Sequence, residues 1–520
     1  MLKLISILML TTFNISYASF SLESFCSEKI LKDLPVLQNG RVKPFSVMAK
    51  ENISFLSGKL MRNKVPSYSH YLCQLTFKNF SKSPIPPLMI PIDHTETRAL
   101  LNVEDVKMIS IEEIILREDD IKMEYMSQKK LSSYKKDLGK LLQKVEVYNN
   151  IISSQTWSTF DSSKLPVQEK NLGDAFVPLL TLLPEISMPP EQDKIISYLI
   201  ENKKLFDQQN LSPYKIEILY NNLHLFDFAL LLALISSLFF LFNKNKKVHL
   251  SLASGLLLLQ ITAITLRVMI SGRAPITNMY ETVAFSGLGA LFICFLVYLK
   301  NNQVNYLLGG AVYNFLCLMM IRFANNMLDP TIQPLVPVLR DNFWLSTHVT
   351  TIILSYAALA ISWVLANIFL LKSIFVKGFN KDNLKPFASQ SYVFAKIGIT
   401  LLAAGIILGG VWADYSWGRF WGWDPKETWS LIALLFYMMI LHARYTNWIN
   451  QERFLISLSI AFLSIMFAWF GVNYILASGL HSYGFSEGGF YFLISFFALQ
   501  FSIVIIYQIK KWQTGRQAQA

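Results

Sequence analysis

From about residue 225 onward the chain is almost continuously apolar, broken only at short polar stretches. The apolar runs lie near 225–242, 248–270, 282–299, 304–324, 349–372, 393–412, 428–446, 454–476 and 490–509. Each approaches the roughly 20 residues that a helix needs to cross the hydrocarbon core of a bilayer. The pattern therefore predicts nine membrane spans. Residues 19–223 have another texture. There "SYKKDLGKLLQKVEVYNNIISS" (133–154) reads as a charged amphipathic helix, and "SKSPIPPLMIPID" (81–93) as a proline-rich loop. The expected fold class is an all-α polytopic membrane protein with an N-terminal extracytoplasmic domain of mixed structure.

Composition agrees: 53% of residues are hydrophobic and only 16% charged. A net charge of +12 first suggests nucleic acid. Much of the excess, however, lies in short loops between spans, where the positive-inside rule expects it, so nucleic acid is set aside as a partner. Lys244, Lys246 and Lys247, then Lys372, Lys377, Lys381 and Lys385, then Arg444 and Arg453, then Lys510 and Lys511 fall on one side. The opposite loops carry only Arg273, Arg340, Arg419 and Lys426. This asymmetry predicts a cytoplasmic C-terminus and an exported N-terminal region. "MLKLISILMLTTFNISYASF" has the lysine, apolar core and Ser16-x-Ala18 of a secretory signal peptide. The plan is then a signal peptide over 1–18, an extracytoplasmic domain over 19–223 and a multi-span domain over 224–520. Cys26 and Cys73 fall in the exported part and could pair, which spacing alone does not decide. Cys294 and Cys317 lie in spans, as small apolar side chains.

Topology sorts the histidines. His348 lies at the outer end of the fifth span, and His481 lies in the outer loop between the eighth and ninth. Between the sixth and seventh, within 412–429, comes "WGRFWGWDPKETW", four tryptophans in thirteen residues. Two histidines beside an aromatic shelf suit haem: imidazoles bind the iron axially and flat apolar rings cover the macrocycle. Trp417, Trp421 and Trp423 are the candidate cover. Arg419 and Lys426, with Arg273 further away, are candidate partners for the propionates. Zinc fits less well, because no third ligand has suitable spacing. "DPKE" reads as a helix start, with Asp424 at the N-cap, Pro425 at the first helical position and Glu427 closing a capping box, a role that weighs more than direct contact with the haem, for which Asp424 is also a candidate.

On the seventh span, His442 follows Glu427 by fifteen residues, about 22 Å along a helix rising 1.5 Å per residue. A histidine that deep is a functional candidate, here for a second haem position nearer the cytoplasm. His249, at the inner start of the second span, has comparable depth but sits beside Lys246 and Lys247 and also reads as a loop residue. His224 reads as a snorkelling interfacial residue, and His70 and His94 as surface or packing residues.

"WGRFWGWD" fits the WGxxWxWD signature of haem-handling membrane proteins, the WWD motif, and the chain resembles the CcsA/ResC-type subunit of the System II cytochrome c synthase. "GRAPITNMYET" (272–282) and "GGVWADYSWG" extend the resemblance, which covers roughly residues 250–508. "GRVKPF" (40–45) resembles segments of extended bacterial relatives. The resemblance implies that His348 and His481 are external axial ligands of haem b and His442 a transmembrane one. It implies a CcsB/ResB-type partner carrying the other transmembrane histidine, unless His249 substitutes. It also implies the bacterial cytoplasmic (inner) membrane as the location and a holocytochrome c synthase (haem lyase) activity. In that reaction reduced haem is joined by thioethers to the CxxCH cysteines of apocytochrome c, which thiol-reducing proteins keep reduced. The rival readings are a haem chaperone or exporter without ligation activity, and a b-type electron-transfer protein.

Overall fold

A computed structural model of the chain describes residues 26–27, 29–38, 40–57, 67–78, 85–92, 94–103, 105–128, 133–153, 155–161, 175–178, 181, 189–208, 212–242, 245–324, 327–333, 335, 341–376, 384–476 and 489–517. The signal segment 1–18, Lys244, Arg340, Lys377, Lys381 and His481 lie outside the described residues. The chain divides into two compact units, one ending at Ile218 and one beginning at Leu219.

The first unit mixes helices with two small antiparallel sheets. β1 (Pro35–Gln38), β2 (Arg41–Pro44), β5 (Ser158–Phe160) and β6 (Phe176–Pro178) form one sheet in the order β2-β1-β5-β6. β3 (Met89–Pro91) and β4 (Met108–Ser110) form the other. The proline-rich stretch is thus partly a strand. Ile90 is buried and pairs with Ile109, and Pro91 stands at the end of the ladder, where a missing N–H is tolerated. The amphipathic helix spans Ser133–Ile152 and buries Leu138, Leu141, Val145 and Tyr148, three and four residues apart on one face.

"GRVKPF" has a structural explanation here. Gly40, at φ +74°, turns the chain from β1 into β2. Arg41 then reaches Glu217 at 2.5 Å, Lys43 reaches Glu51 at 2.5 Å, and Phe45 packs on Trp157 with ring centroids 4.4 Å apart. Burial raises the Glu217 carboxyl above its ordinary range while Arg41 pulls it back, so the pair is a buried tie. Cys26 and Cys73 form a disulfide. His70 sets its Nδ1 3.0 Å from the Cys26 carbonyl, and His94 lies against Tyr134 at 5.4 Å. The packing roles expected for both histidines agree with this.

The bridge closes a loop of sequence separation 47, which in the chain-entropy account corresponds to about 4 kcal/mol. Cys73→Ser should therefore lower the unfolding midpoint of the N-terminal unit, followed by limited proteolysis of the full chain against temperature. An unchanged proteolysis profile would remove the bridge from the stability of this unit.

In the second unit nine helices among the described residues are long and apolar enough to cross a membrane. They run Leu225–Phe242, Lys246–Ser271, Met279–Asn301, Val304–Phe323, Asn342–Phe375, Leu384–Trp417, Pro425–Tyr445, Gln451–Leu476 and Gly489–Gln513. The number matches the sequence expectation, and the fifth and sixth are longer than their apolar runs. The fifth and eighth are the most enclosed, while the seventh and ninth show most of their surface. Spans three and four interlock through small residues: a Cβ on Gly287 would stand 2.9 Å from the Cys317 Cβ, and one on Gly310 2.8 Å from the Cys294 Cβ. Both cysteines are free and buried, as expected. Side-chain amides join helices elsewhere, as lipid-embedded bundles require: Gln260 and Asn314 exchange bonds of 2.7 and 3.0 Å, and Asn367 and Gln500 pair beside Trp363.

Candidate functional site

The sixth span ends at Trp417, where Gly418 at φ +68° donates its N–H to the Asp414 carbonyl and turns the chain out of the helix. Six residues later the seventh span begins with the expected capping box. The Asp424 carboxylate accepts from the Lys426 N–H at 2.9 Å, and the Glu427 carboxylate accepts from the N–H groups of Asp424 and Gly422 at 3.2 and 2.8 Å. Asp424 is buried. Its position is that of the structural cap.

The tryptophan loop is held tightly between these ends. Trp423 adopts φ +55°, rare for a bulky side chain and costing on the order of 1–3 kcal/mol. It is 70% exposed and stands edge-on to Trp421, ring centroids 5.9 Å apart. The Arg419 guanidinium lies 6.0 Å over the Trp417 ring and 3.9 Å from Glu427. A Cβ on Gly422 would overlap that guanidinium. The Lys426 Nζ lies 3.1 Å from the Asn473 side chain on the eighth span. Of the three cations suggested for the propionates, Arg419 is the one that lies over a tryptophan ring of the loop.

His348 reaches the same region from the fifth span. Residues Leu345–Val349 form a π-helical turn, a feature that recurs at functional sites. Its imidazole lies on a glycine face of the sixth span. Nδ1 is 2.9 Å from the Gly405 carbonyl, and a Cβ on Gly409 would stand 2.6 Å from Cε1. On the next residue, Gly410, rests the Phe420 ring of the tryptophan loop. Consecutive glycines thus seat the histidine and the motif side by side. A neutral imidazole donating from Nδ1 to a carbonyl carries its lone pair on Nε2, the tautomer a metal ligand uses. A second π-helical stretch, Phe467–Leu476, ends the eighth span where the chain leads toward His481.

His442 repeats the hydrogen-bonding pattern, with Nδ1 2.9 Å from the Met438 carbonyl one turn earlier. It is exposed on the seventh span beside Met438, Met439 and Leu435, opposite the buried Ala433, Tyr437 and Ile440. His249 is 3% exposed and enclosed by the Phe240 and Tyr298 rings, at 5.5 and 6.2 Å. His224 is exposed, 3.7 Å from Asp227. No group of three or more metal-ligating side chains occurs among the described residues.

Several contributors escape a reading of residue types. Arg267 and Glu281, buried at 3% and 2%, form an ion pair of 2.8 Å that fixes the "GRAPITNMYET" loop. The Glu281 carboxylate also accepts from the Thr277 N–H and hydroxyl at 2.8 and 2.6 Å. Arg273 donates to the Gln333 carbonyl at 2.6 Å. Asn473 and Tyr474 of the π-helical stretch bond to Met279 and to the Met327 carbonyl. One sequence signal for the histidine seat was present, the four-residue spacing of Gly405 and Gly409.

The family model for cytochrome c assembly proteins matches residues 276–481, from the "GRAPITNMYET" loop to His481. A cytochrome c biogenesis protein CcsA of Guillardia theta is 36% identical over 49% of this chain and 93% of its own length. The chain belongs to the CcsA family. The CcsA of Prochlorococcus marinus is 35% identical over 46% of this chain and 85% of its own. The protein NrfI of Wolinella succinogenes is 35% identical over 52% of this chain, but this chain spans only 31% of it. In this CcsA-family chain the matched region contains both π-helical segments, the glycine seat and the tryptophan loop. Cytochrome c biogenesis is accordingly the process it serves.

Proposed function

We propose that the protein binds reduced haem b as its substrate, presents it at the outer face of a bacterial cytoplasmic membrane and promotes its covalent attachment to apocytochrome c. The observation that carries this reading is the seat of His348: Nδ1 on the Gly405 carbonyl and the ring against Gly409, next to the Gly410 that receives Phe420 of the tryptophan loop. That arrangement orients Nε2 chemistry beside a flat aromatic surface. His348 and His481 would be the axial ligands, with Trp417, Trp421 and Trp423 against the macrocycle and Arg419 at a propionate. The CxxCH histidine of the apocytochrome replaces one axial ligand. Each cysteine S–H then adds across a vinyl C=C, sulfur to the carbon next to the ring and the proton to the terminal carbon, with no net oxidation or reduction. The protein contributes orientation and effective concentration. Both thiols must arrive reduced, which makes thiol-reducing proteins partners.

The exposed His442 supports a second haem position within the membrane. An imidazole on an open apolar helix face is costly in lipid, and haem with a CcsB/ResB-type partner would cover it. His249, enclosed by aromatic rings, packs as a core histidine, which favours a partner as the source of the other ligand. A haem chaperone or exporter would share the same site without the ligation step.

Co-expression with a reporter apocytochrome, with and without a CcsB-type partner, separates the two. Haem staining after denaturation should show covalent cytochrome in the presence of the partner. A purified protein that carries haem but yields no covalent cytochrome under either condition would sink the synthase reading in favour of the chaperone.

A further inference from the structure

Trp412, the first residue of the 412–429 stretch, is still helical in the sixth span and lies beside His348. Its ring is 5.8 Å from that of His348, centroid to centroid, and is 8% exposed, in a cluster with Leu345, Trp344, Val349 and Leu335. Its Nε1 is buried and has no hydrogen-bond acceptor among the described residues. An indole N–H has one use, donation, and a buried donor left unmet is rare because it carries its full desolvation penalty. Purely apolar packing would be served as well by phenylalanine. Trp412 also follows Gly405 by seven residues, two helical turns, and so stands on the helix face that seats His348. Trp157 and Trp469 also bury an unmet indole N–H; what sets Trp412 apart is its place beside His348, which makes whatever that histidine ligates the natural acceptor.

From this juxtaposition we infer that the Trp412 indole N–H donates to a propionate carboxylate of the haem held at His348. The inference rests on the haem reading above and adds a residue to it, one that selects for the free propionate carboxylate over its ester. Arg419, across the shelf, is then a partner for the propionate from the loop side, while Trp412 donates from the helix side.

The test uses the full-length protein purified in detergent and titrated with haem and with haem dimethyl ester, binding being followed by the Soret band. The unaltered protein should bind haem more tightly than the ester. Trp412→Phe should weaken haem binding about ten-fold, as expected for loss of one charge-assisted hydrogen bond, leave ester binding within two-fold of the unaltered protein, and preserve the low-spin spectrum. Equal losses for both ligands would assign Trp412 to packing and overturn the inference, as would unaltered affinities. If Trp412→Phe does not accumulate, equal affinity of the unaltered protein for haem and ester is enough to overturn it. His348→Ala is the control on the underlying reading: if it keeps the haem and the spectrum, the haem assignment itself fails, whatever Trp412 does.

Discussion

His348→Ala should reduce covalent cytochrome formation on the order of a hundred-fold or more, with the protein still inserted and abundant. The side chain is half-buried at a helix end, with Nδ1 on the carbonyl of a neighbouring helix, so its removal should leave the helix packing in place. What is lost, on the proposed reading, is the ligand. Haem copurifying with the variant should fall, and any that remains should shift from a low-spin to a high-spin spectrum. Exogenous imidazole, able to enter the space left over Gly409, should restore part of the product. Normal synthesis by both His348→Ala and His481→Ala would refute the axial-ligand assignment.

The second large effect concerns a residue with no chemistry of its own. Gly409→Ala should cost about ten-fold or more in haem occupancy while leaving the helix as stable as before or more so. Alanine is favoured over glycine in a helix interior by about 1 kcal/mol, so propensity alone predicts a benign change. The added methyl, however, would stand 2.6 Å from the His348 ring, which must swing away and release the Gly405 carbonyl. Haem content and the thermal midpoint, measured on the same preparation, should move independently. A fall in both together would mean that the sixth span had been damaged and that the histidine seat was not the cause.

These two residues show where a reading of the sequence reaches and where it stops. The spans were legible because lipid forces long uninterrupted apolar runs, and the cap at Asp424 because its chemistry is local: N-cap, Pro425 and Glu427 lie within four residues. His348 was legible as a lone polar side chain at the end of a span. The seat was not, since it joins the fifth span to the sixth across 57 positions, and nothing in either segment names the other. Lys426 is a second case: its charge and place in the loop suggested a propionate partner, and the fold sets its Nζ beside Asn473, 47 residues on, a contact no local pattern announces. The π-helical turns leave no periodic trace either, because one extra residue in a turn is too small an offset in an apolar run. In the N-terminal unit, Ile90 pairing with Ile109 turned part of a proline-rich loop into a strand, a long-range contact overriding local composition.

The Cys26–Cys73 bridge has a consequence for the redox chemistry around it. With the N-terminal unit exported, as the loop charges predict, the proposed reaction would require apocytochrome thiols to be kept reduced by thiol donors on the same side of the membrane as this disulfide. A dithiol reductant strong enough for the substrate would, on potential alone, threaten the bridge as well. Exchange, however, proceeds by in-line attack of a thiolate on a sulfur it can reach, and Cys26 and Cys73 are 4% and 0% exposed. On that reading burial would shield the folded unit's cysteines, while the substrate's cysteines on an open chain would stay available to the reductant.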